Sequence, residues 1–556
     1  MSDKLRFNVD DERLEYTGLQ KEFSLNKDRI IEFNHRHMAV LKSYDLLLEE
    51  CTIITLADEI NNHSNLGALR NRQLRQSIIL SAALSAIAVG VNGRGRLNDF
   101  PKEEHTNELK NKLKRANDRT AAQVMAEVLQ TTAKTLPLGE DVLIESAITE
   151  GARMKPGKEA GGNPTIAVGA VFGKDQHRAQ YGLNMPKNVT LLSMGNDVID
   201  GTTKSITGTH SSFTALFVTE ANIKRHLPDI YVQRWMSGAH FEKFNPREVN
   251  VVESAEIMAK AYGLNKVSDL STFFLDRPRH YPAMDALNKI GVTTPFDKDG
   301  DLMPGILMGL KGLQFPDKRG LSTMIGEIGG SAEWAVGVLP LVWRGGQAIG
   351  MLTSQSSLTR KDVTPEDLWK NRFHFTEEEF MQIQDARFER KPYFTIEDIV
   401  DDPFKGGISA FGAITDNHYL PFIKGVHADK EKNRITVYVL MVNSLGVVQC
   451  WKLVFSGRTS LEQSLSRMLS PKEALKGLSG DKLESAIGSM LDNEKTNDRY
   501  HLFFNNEYYP ALIPVRDKMF MLHDAVNGLI ERGALSKQDK EIVDITERLA
   551  PHWFTT

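Results

Sequence analysis

The chain has two cysteines, Cys51 and Cys450, among its 556 residues. That excludes a disulfide framework and makes a reducing compartment, the cytoplasm, the expectation. It has no excess of either charge: 68 Lys and Arg against 72 Asp and Glu give a net charge of −4. A nucleic-acid footprint would need a basic surplus, so no nucleic-acid partner is expected. The N-terminus is polar and acidic, without the pattern of a secretory signal. No apolar run reaches the roughly 20 residues a membrane span needs. The longest, Ile78 to Val91, contains serines and reads as a buried helix, so no membrane partner is expected. Internal repeats and low-complexity tracts are also missing. What is present is an ordinary globular composition, 41% hydrophobic and 25% charged, with length for roughly three to four domains.

Residues 1–75 are polar and expected to be a helical extension, patterned from Lys27 through Met38, Leu41, Tyr44 and Leu48. An alanine-rich helix over 77–92 and a solvated charge run over 102–115 follow. A helix from Asp118 places Ala121, Val124, Met125, Val128 and Leu129 on one face. After Pro137 short apolar runs alternate with helical segments: Val142–Ile144, Ile166–Val168, Val189–Ser193, Phe213–Val218, Thr272–Leu275. Residues 336–353 and 435–455 continue that alternation, which implies an α/β fold. The expected division is a core of two halves, 76–265 and 266–456, and a mainly helical C-terminal unit over 457–556. That unit is expected to hold a helix start at Ser470–Glu473, a hairpin over Tyr500–Val515 and a helix over Asp517–Arg532. Its apolar stripes, Leu465, Met468 and Leu469 and then Met519, Leu522, Val526 and Leu529, must be buried somewhere. They are expected to cap the core or build an oligomer interface.

The most informative stretch is Asn196-Asp197-Val198-Ile199-Asp200-Gly201-Thr202-Thr203. It follows an apolar strand and sets two carboxylates three residues apart, then a glycine, then a hydroxyl. Carboxylates at a strand end can hold divalent cations, and a threonine can orient a water. Asp-Gly is equally a common turn. Other segments have the same double reading. Asp118 follows Lys114-Arg-Ala-Asn and is either a helix cap or a ligand. Glu145 ends the apolar run Val142–Ile144. Tyr231 closes Pro228-Asp-Ile-Tyr. Arg277-Pro278-Arg279-His280 is a basic turn, or a clamp for a phosphate. Asp297-Lys-Asp299-Gly300-Asp301 looks like the start of a calcium loop but has Leu302 and Met308 where that loop requires Gly and Glu. Gly329-Gly330-Ser-Ala-Glu333 offers backbone N–H groups and one acid.

In that order the segments resemble the class II fructose-1,6-bisphosphatases, which include fructose/sedoheptulose-bisphosphatases of the lithium-sensitive, inositol-monophosphatase-like superfamily. The family's Asp-Pro-Ile-Glu-Gly-Thr is similar to Asp197–Thr202, its Lys-Pro-Arg-His to Arg277–His280, its Asp-Gly-Asp to Asp299–Asp301. Its Gly-Gly-Ala-Pro-Glu is similar to Gly329–Glu333, and its Ser-Ala-Thr-Gly-Ile-Thr-Asp to Ser409–Asp416 with one residue inserted. The resemblance implies a layered α-β-α-β-α sugar-phosphatase core. It implies that Asp118, Glu145, Asp197, Asp200 and Glu333 ligate two or more Mg²⁺ or Mn²⁺ ions. Thr202 with Asp118 would polarise the attacking water, and Lys114 would lie near the metal-bound phosphate. Asp200, Gly201, Thr202, Tyr231, Arg277, Pro278, Arg279, Asp299, Gly300, Asp301 and Gly330 would hold a sugar bisphosphate whose 1-phosphate is hydrolysed. A homo-oligomer is expected.

Where the family has Gly-Glu-Gly-Glu-Ile-Asp-Glu, this chain has Ile144-Glu145-Ser-Ala147-Ile-Thr149-Glu150. Acids are replaced at Ala147 and Thr149. Two alternatives therefore stand beside the bisphosphatase: a catalytically impaired metabolite- or protein-binding relative, and a phosphatase for another phosphomonoester.

Overall fold

The computed structural model describes residues 5–11, 14–150, 165–166, 168–178, 181, 187–223, 231–245, 248–315, 319–352, 393–468, 475, 477–497, 526 and 536–551. It is a mixed helix-and-sheet protein. In chain order the elements are β1 (Arg6–Asn8), β2 (Lys21–Ser24), α1 (Lys27–Arg36), β3 (Leu46–Ala57), α2 (Arg72–Asn92) and α3 (Asn107–Thr135). Then come β4 (Val142–Thr149), β5 (Val171–Phe172), β6 (Thr190–Asp200), α4 (Thr202–Thr207), β7 (Phe213–Thr219), β8 (Tyr231–Ser237) and α5 (Val251–Ala261). Next are β9 (Thr272–Leu275), α6 (Tyr281–Lys289), β10 (Thr294–Asp297), α7 (Leu302–Leu307), β11 (Thr323–Gly329), α8 (Gly330–Trp343) and β12 (Gln347–Leu352). The other main elements are β13 (Gly407–Ala413), β14 (Arg434–Asn443), β15 (Val448–Gly457), α9 (Leu461–Ser466), α10 (Gly480–Asn497) and α11 (Lys537–Leu549), with a few shorter strands and helices between them.

A ten-stranded sheet runs β2-β3-β15-β14-β13-β7-β6-β4-β5, with a short strand, His427–Asp429, on β14. It is antiparallel except for the β4–β6 pair. Period-two alternation sends its side chains to two cores. Leu216, Val218, Ile408, Ala410, Val437 and Val439 face α2 and α3. Ala215, Phe217, Phe411, Leu440 and Cys450 face a core shared with α7 and α8. A six-stranded sheet, β1-β10-β9-β11-β8-β12, lies on the far side of α8. Its Val232, Met236, Phe273 and Met324 join that same core. Its Trp235, Phe274, Ile325 and Ile349 face α5 and α6 instead.

Helix α2 is apolar enough to cross a membrane, and it is buried between α3 and the large sheet. Its serines explain how. The hydroxyls of Ser81 and Ser85, one turn apart, donate to the carbonyls of Met125 and Ala121 on α3 at 3.1 and 3.2 Å. On the other side Thr214 donates to Ala82 O at 2.8 Å. A Cβ at Gly412 would stand 2.3 Å from that same carbonyl, so only glycine lets the strand approach this close.

Three expectations change. Residues 1–75 are not a helical extension: β1 extends the small sheet, and β2 and β3 complete the large one, β3 pairing with β15 over Leu46–Ala57. Strand β3 carries Leu46, Leu48 and Cys51 into the core, an alternation that a register shift between Leu48 and Glu50 interrupts and hides. Within 336–353, the first half is the C-terminal part of α8 and only Gln347–Leu352 is strand. Helix α8 is covered by sheets on both sides, so it is apolar all round and shows no helical period. At the C-terminus, Leu461, Leu465 and Met468 belong to the main core, whereas Leu475, Leu483, Ile487, Leu491, Val526, Ile542 and Ile545 form a cluster of their own. The expected helix start at Ser470, hairpin over 500–515 and most of the helix over 517–532 lie outside the described residues.

These contacts predict the effect of truncation. A chain starting at Asn61 loses β1, β2, β3 and the two-residue strand Glu15–Tyr16, and is expected to give no soluble, cooperatively unfolding protein. A chain ending at Met468 is expected to unfold cooperatively. One ending at Ser456 gives up the burial of three apolar side chains, each worth about 1.5–3 kcal/mol. Chemical denaturation followed by circular dichroism separates the three.

Candidate active site

Strand β6 carries the acids. It ends at Asp200, where Gly201 turns the chain with φ 74° and α4 begins at Thr202. The same turn has a counterpart opposite, Gly300 with φ 78°. A Cβ on either glycine would stand 3.2 or 3.3 Å from the carbonyl oxygen of Ser211, so both loops close on one backbone atom. The Asp200 carboxylate bridges them: Asp301 N–H donates to Oδ1 and Leu302 N–H to Oδ2, each at 3.3 Å. Thr203 N–H in turn donates to Asp299 Oδ2 at 3.0 Å.

Asp197 is buried three residues earlier. Burial drives its carboxyl well above the ordinary carboxylate range, and the neighbouring charges of Glu150, Asp200 and Asp118 add to that. Burial likewise raises Asp200, with Asp301 and Asp299 as the repelling neighbours and Lys204 opposing them. Asp118 is not a helix cap. Thr106 caps α3, which puts Asp118 in the interior of a continuous helix, buried. Lys114 precedes it by one turn on the same face and is half-buried.

Glu145 is not part of this group. In the β4–β6 register it pairs with Ser193, while Thr149 pairs with Asn196. It therefore stands about 13 Å back along the strand from the acids, at ~3.3 Å per residue. The acid beside Asp197 is Glu150, held by its N–H donating to Asn196 O at 2.9 Å. The signal was in the sequence: β4 runs through Thr149, and the acid that ends it, followed by glycine, is Glu150. The same register explains the missing acids. Ala147 lies in the apolar core with α8. Thr149 is buried and donates to Asn196 Oδ1 at 3.0 Å, supporting the strand behind Asp197.

Glu333 lies on the first turn of α8, half-buried, and α8 packs on β6 and β4. Gly330 opens the helix. Tyr231 opens β8 opposite Gly329; the rest of its Pro-Asp-Ile-Tyr motif lies outside the described residues. Arg277 donates to the carbonyls of Asp276 and Lys298 at 3.0 and 2.5 Å and stands 3.7 Å from Asp299. Pro278 is exposed and Arg279 half-buried on the following turn. Asp301 is engaged with Arg234: the two buried groups meet at 2.8 Å, so its carboxylate holds the loop.

Sequence reasoning also missed Lys204. Its ammonium is buried and meets Asp297 at 2.5 Å, and Tyr419 donates to the same carboxylate oxygen at 3.0 Å. Burial raises the Asp297 carboxyl above its ordinary range, with Lys204 opposing. A lysine two residues past Thr202 reads as solvated until the fold places β10 against it.

Among the described residues no three acids or imidazoles stand close enough to enclose one cation. The donor set nonetheless suits a hard divalent ion. Four carboxylates, three of them buried, load one region with negative charge that oxygen-seeking cations would neutralise.

Residues 179–453 match the family of bacterial fructose-1,6-bisphosphatases, glpX-encoded. A curated relative from Synechococcus sp. (strain JA-3-3Ab), named D-fructose 1,6-bisphosphatase class 2/sedoheptulose 1,7-bisphosphatase, is 22% identical over 238 residues. A second of the same name, from Synechococcus sp. (strain JA-2-3B'a(2-13)), is 23% identical over 244 residues. Each alignment covers 43% of this chain and 63% of the relative's length.

The Arg234–Asp301 pair gives a test of the scaffold. Asp301→Asn strands a buried guanidinium and is expected to cost about 3–5 kcal/mol in urea unfolding. Adding Arg234→Met should recover most of that loss.

Proposed function

We propose that this chain is a metal-dependent phosphatase of the class II fructose-bisphosphatase type, within the inositol-monophosphatase-like superfamily. Its proposed reaction is hydrolysis of the 1-phosphate of a sugar bisphosphate, fructose-1,6-bisphosphate or sedoheptulose-1,7-bisphosphate. The observation that carries the reading is the buried Asp197–Asp200 pair, which the family match covers, beside Asp118 and Glu150. The packing of helices on both sides of two sheets around α8 supports the layered core that this family implies. Such a cluster of mutually repelling acids is costly unless something binds it.

Mg²⁺ or Mn²⁺ bound there would lower the pKa of a water and offset charge on the phosphate oxygens. Asp118, Glu150, Asp197, Asp200 and Glu333 would hold the ions. The chain's own contribution begins at Thr202. Its hydroxyl proton is donated to Ile199 O at 3.1 Å, which leaves the oxygen as an acceptor for a proton of the attacking water. Lys114 would offset charge on the reacting phosphate. Arg279 would hold the remote phosphate, with Arg277 fixed by carbonyls at the edge of the same turn. Asp299 and the backbone of Gly300 and Asp301 would line the sugar. In-line displacement then depends on positioning and charge compensation. The alternatives, a metabolite-binding relative without turnover or a phosphatase for another monoester, are outcomes of the test.

Purified protein with Mn²⁺ or Mg²⁺ is expected to release phosphate from one of the two bisphosphates, and Asp197→Ala to release none. Equal release from wild type and Asp197→Ala would refute the reading, and release only from an aryl phosphate would favour the other monoesterase. Glu150→Gln is expected to lower kcat about 100-fold or more, while Glu145→Gln stays within about two-fold. The reverse ranking would restore Glu145 as the ligand. In metal-free buffer Asp197→Asn should raise Tm, because it removes one of the repelling charges, and should abolish the stabilisation that Mn²⁺ gives the wild type.

A further inference from the structure

We propose a second ligand site, for a multiply phosphorylated small metabolite, in the cavity between the C-terminal ends of α2 and α4 and the strands β14 and β15. The cavity has a volume of about 700 Å³, within the usual range for small-molecule sites. Arg94, His210, Lys424, His427 and Lys452 line it, and Asp416 is the one acid in its wall. None of these belongs to the candidate active site.

Three permanent cations and two imidazoles around one carboxylate leave a strong positive excess. It is local, because the chain as a whole carries a net charge of −4. Among the described residues, Arg94, Lys424 and Lys452 form no ion pair with a carboxylate. Asp416 is already engaged: its Oδ1 accepts Gly425 N–H at 2.9 Å, and its backbone carbonyl accepts Ser211 N–H at 2.7 Å. Arg94 is held in place by one terminal nitrogen, Nη1, donating to Val426 O at 2.8 Å and Ile414 O at 3.5 Å, which leaves Nε and Nη2 available to a phosphate. Lys424 is exposed and Lys452 half-buried at the wall, where they act as point charges. Tyr438 adds a half-buried phenol whose proton burial retains, another donor for an anion. A single phosphate would leave part of this charge uncompensated; a chain of two or three would span it.

The test uses the full chain in metal-free buffer, with tripolyphosphate and orthophosphate as probes in isothermal titration calorimetry. Wild type is expected to bind one tripolyphosphate, about ten-fold or more tighter than orthophosphate, and less tightly as salt rises. Lys424→Ala/Lys452→Ala should weaken it by about ten-fold or more, and Lys424→Arg/Lys452→Arg should retain it. Arg279→Ala, in the candidate active site, should leave it unchanged, so this proposal and the phosphatase reading fail separately. Absence of binding to wild type, unchanged affinity in the double alanine variant, or loss in Arg279→Ala alone would overturn the proposal.

Discussion

Everything at the candidate site depends on where the Asp200 carboxylate goes. It is buried, and it is satisfied by two backbone N–H groups from the start of α7. A buried carboxylate without such partners would cost several kcal/mol, so this contact fixes the end of β6 against the loop that follows β10. Gly201 and Gly300, both in the left-handed region, let the two loops close on the Ser211 carbonyl. The Lys204–Asp297 pair makes a second cross-link, from α4 to the end of β10. The acids of one part of the chain and the loop of the other are thereby held as one unit.

That unit is under electrostatic tension. Asp197 has three carboxylates as neighbours and little solvent to screen them. The scaffold that withstands this is apolar and packed from both sides: α2 and α3 behind the large sheet, α7 and α8 in front of it. Those two apolar cores supply the burial that offsets the cost of the clustered acids.

Much of this was legible in the residues. The Asp-x-x-Asp-Gly-Thr segment, the basic turn at Arg277–Arg279 and the alternation after Pro137 each identify themselves by local chemistry, and the motif spacing pointed to one family. The strand β3 was not legible, because a register shift between Leu48 and Glu50 breaks its alternation and its partner, β15, lies far along the chain. Helix α8 was read as strand-like because a helix buried on all sides has no polar face to reveal its period.

The sequence by itself determined which chemistry this protein could hold: hard oxygen ligands, a hydroxyl at a helix start, arginines around a proline, and a balanced charge. Only the tertiary structure decided which acid joins which. Glu145 and Glu150 both sit in one short strand-forming stretch, and their side chains are chemically identical. The parallel register of β4 on β6 places one beside Asp197 and carries the other away from it. Register is set by long-range pairing and by which face must be buried. For the same reason the positive cavity has no local signature, since Arg94 lies far in the chain from Lys424 and Lys452 and meets them only after the sheet has formed.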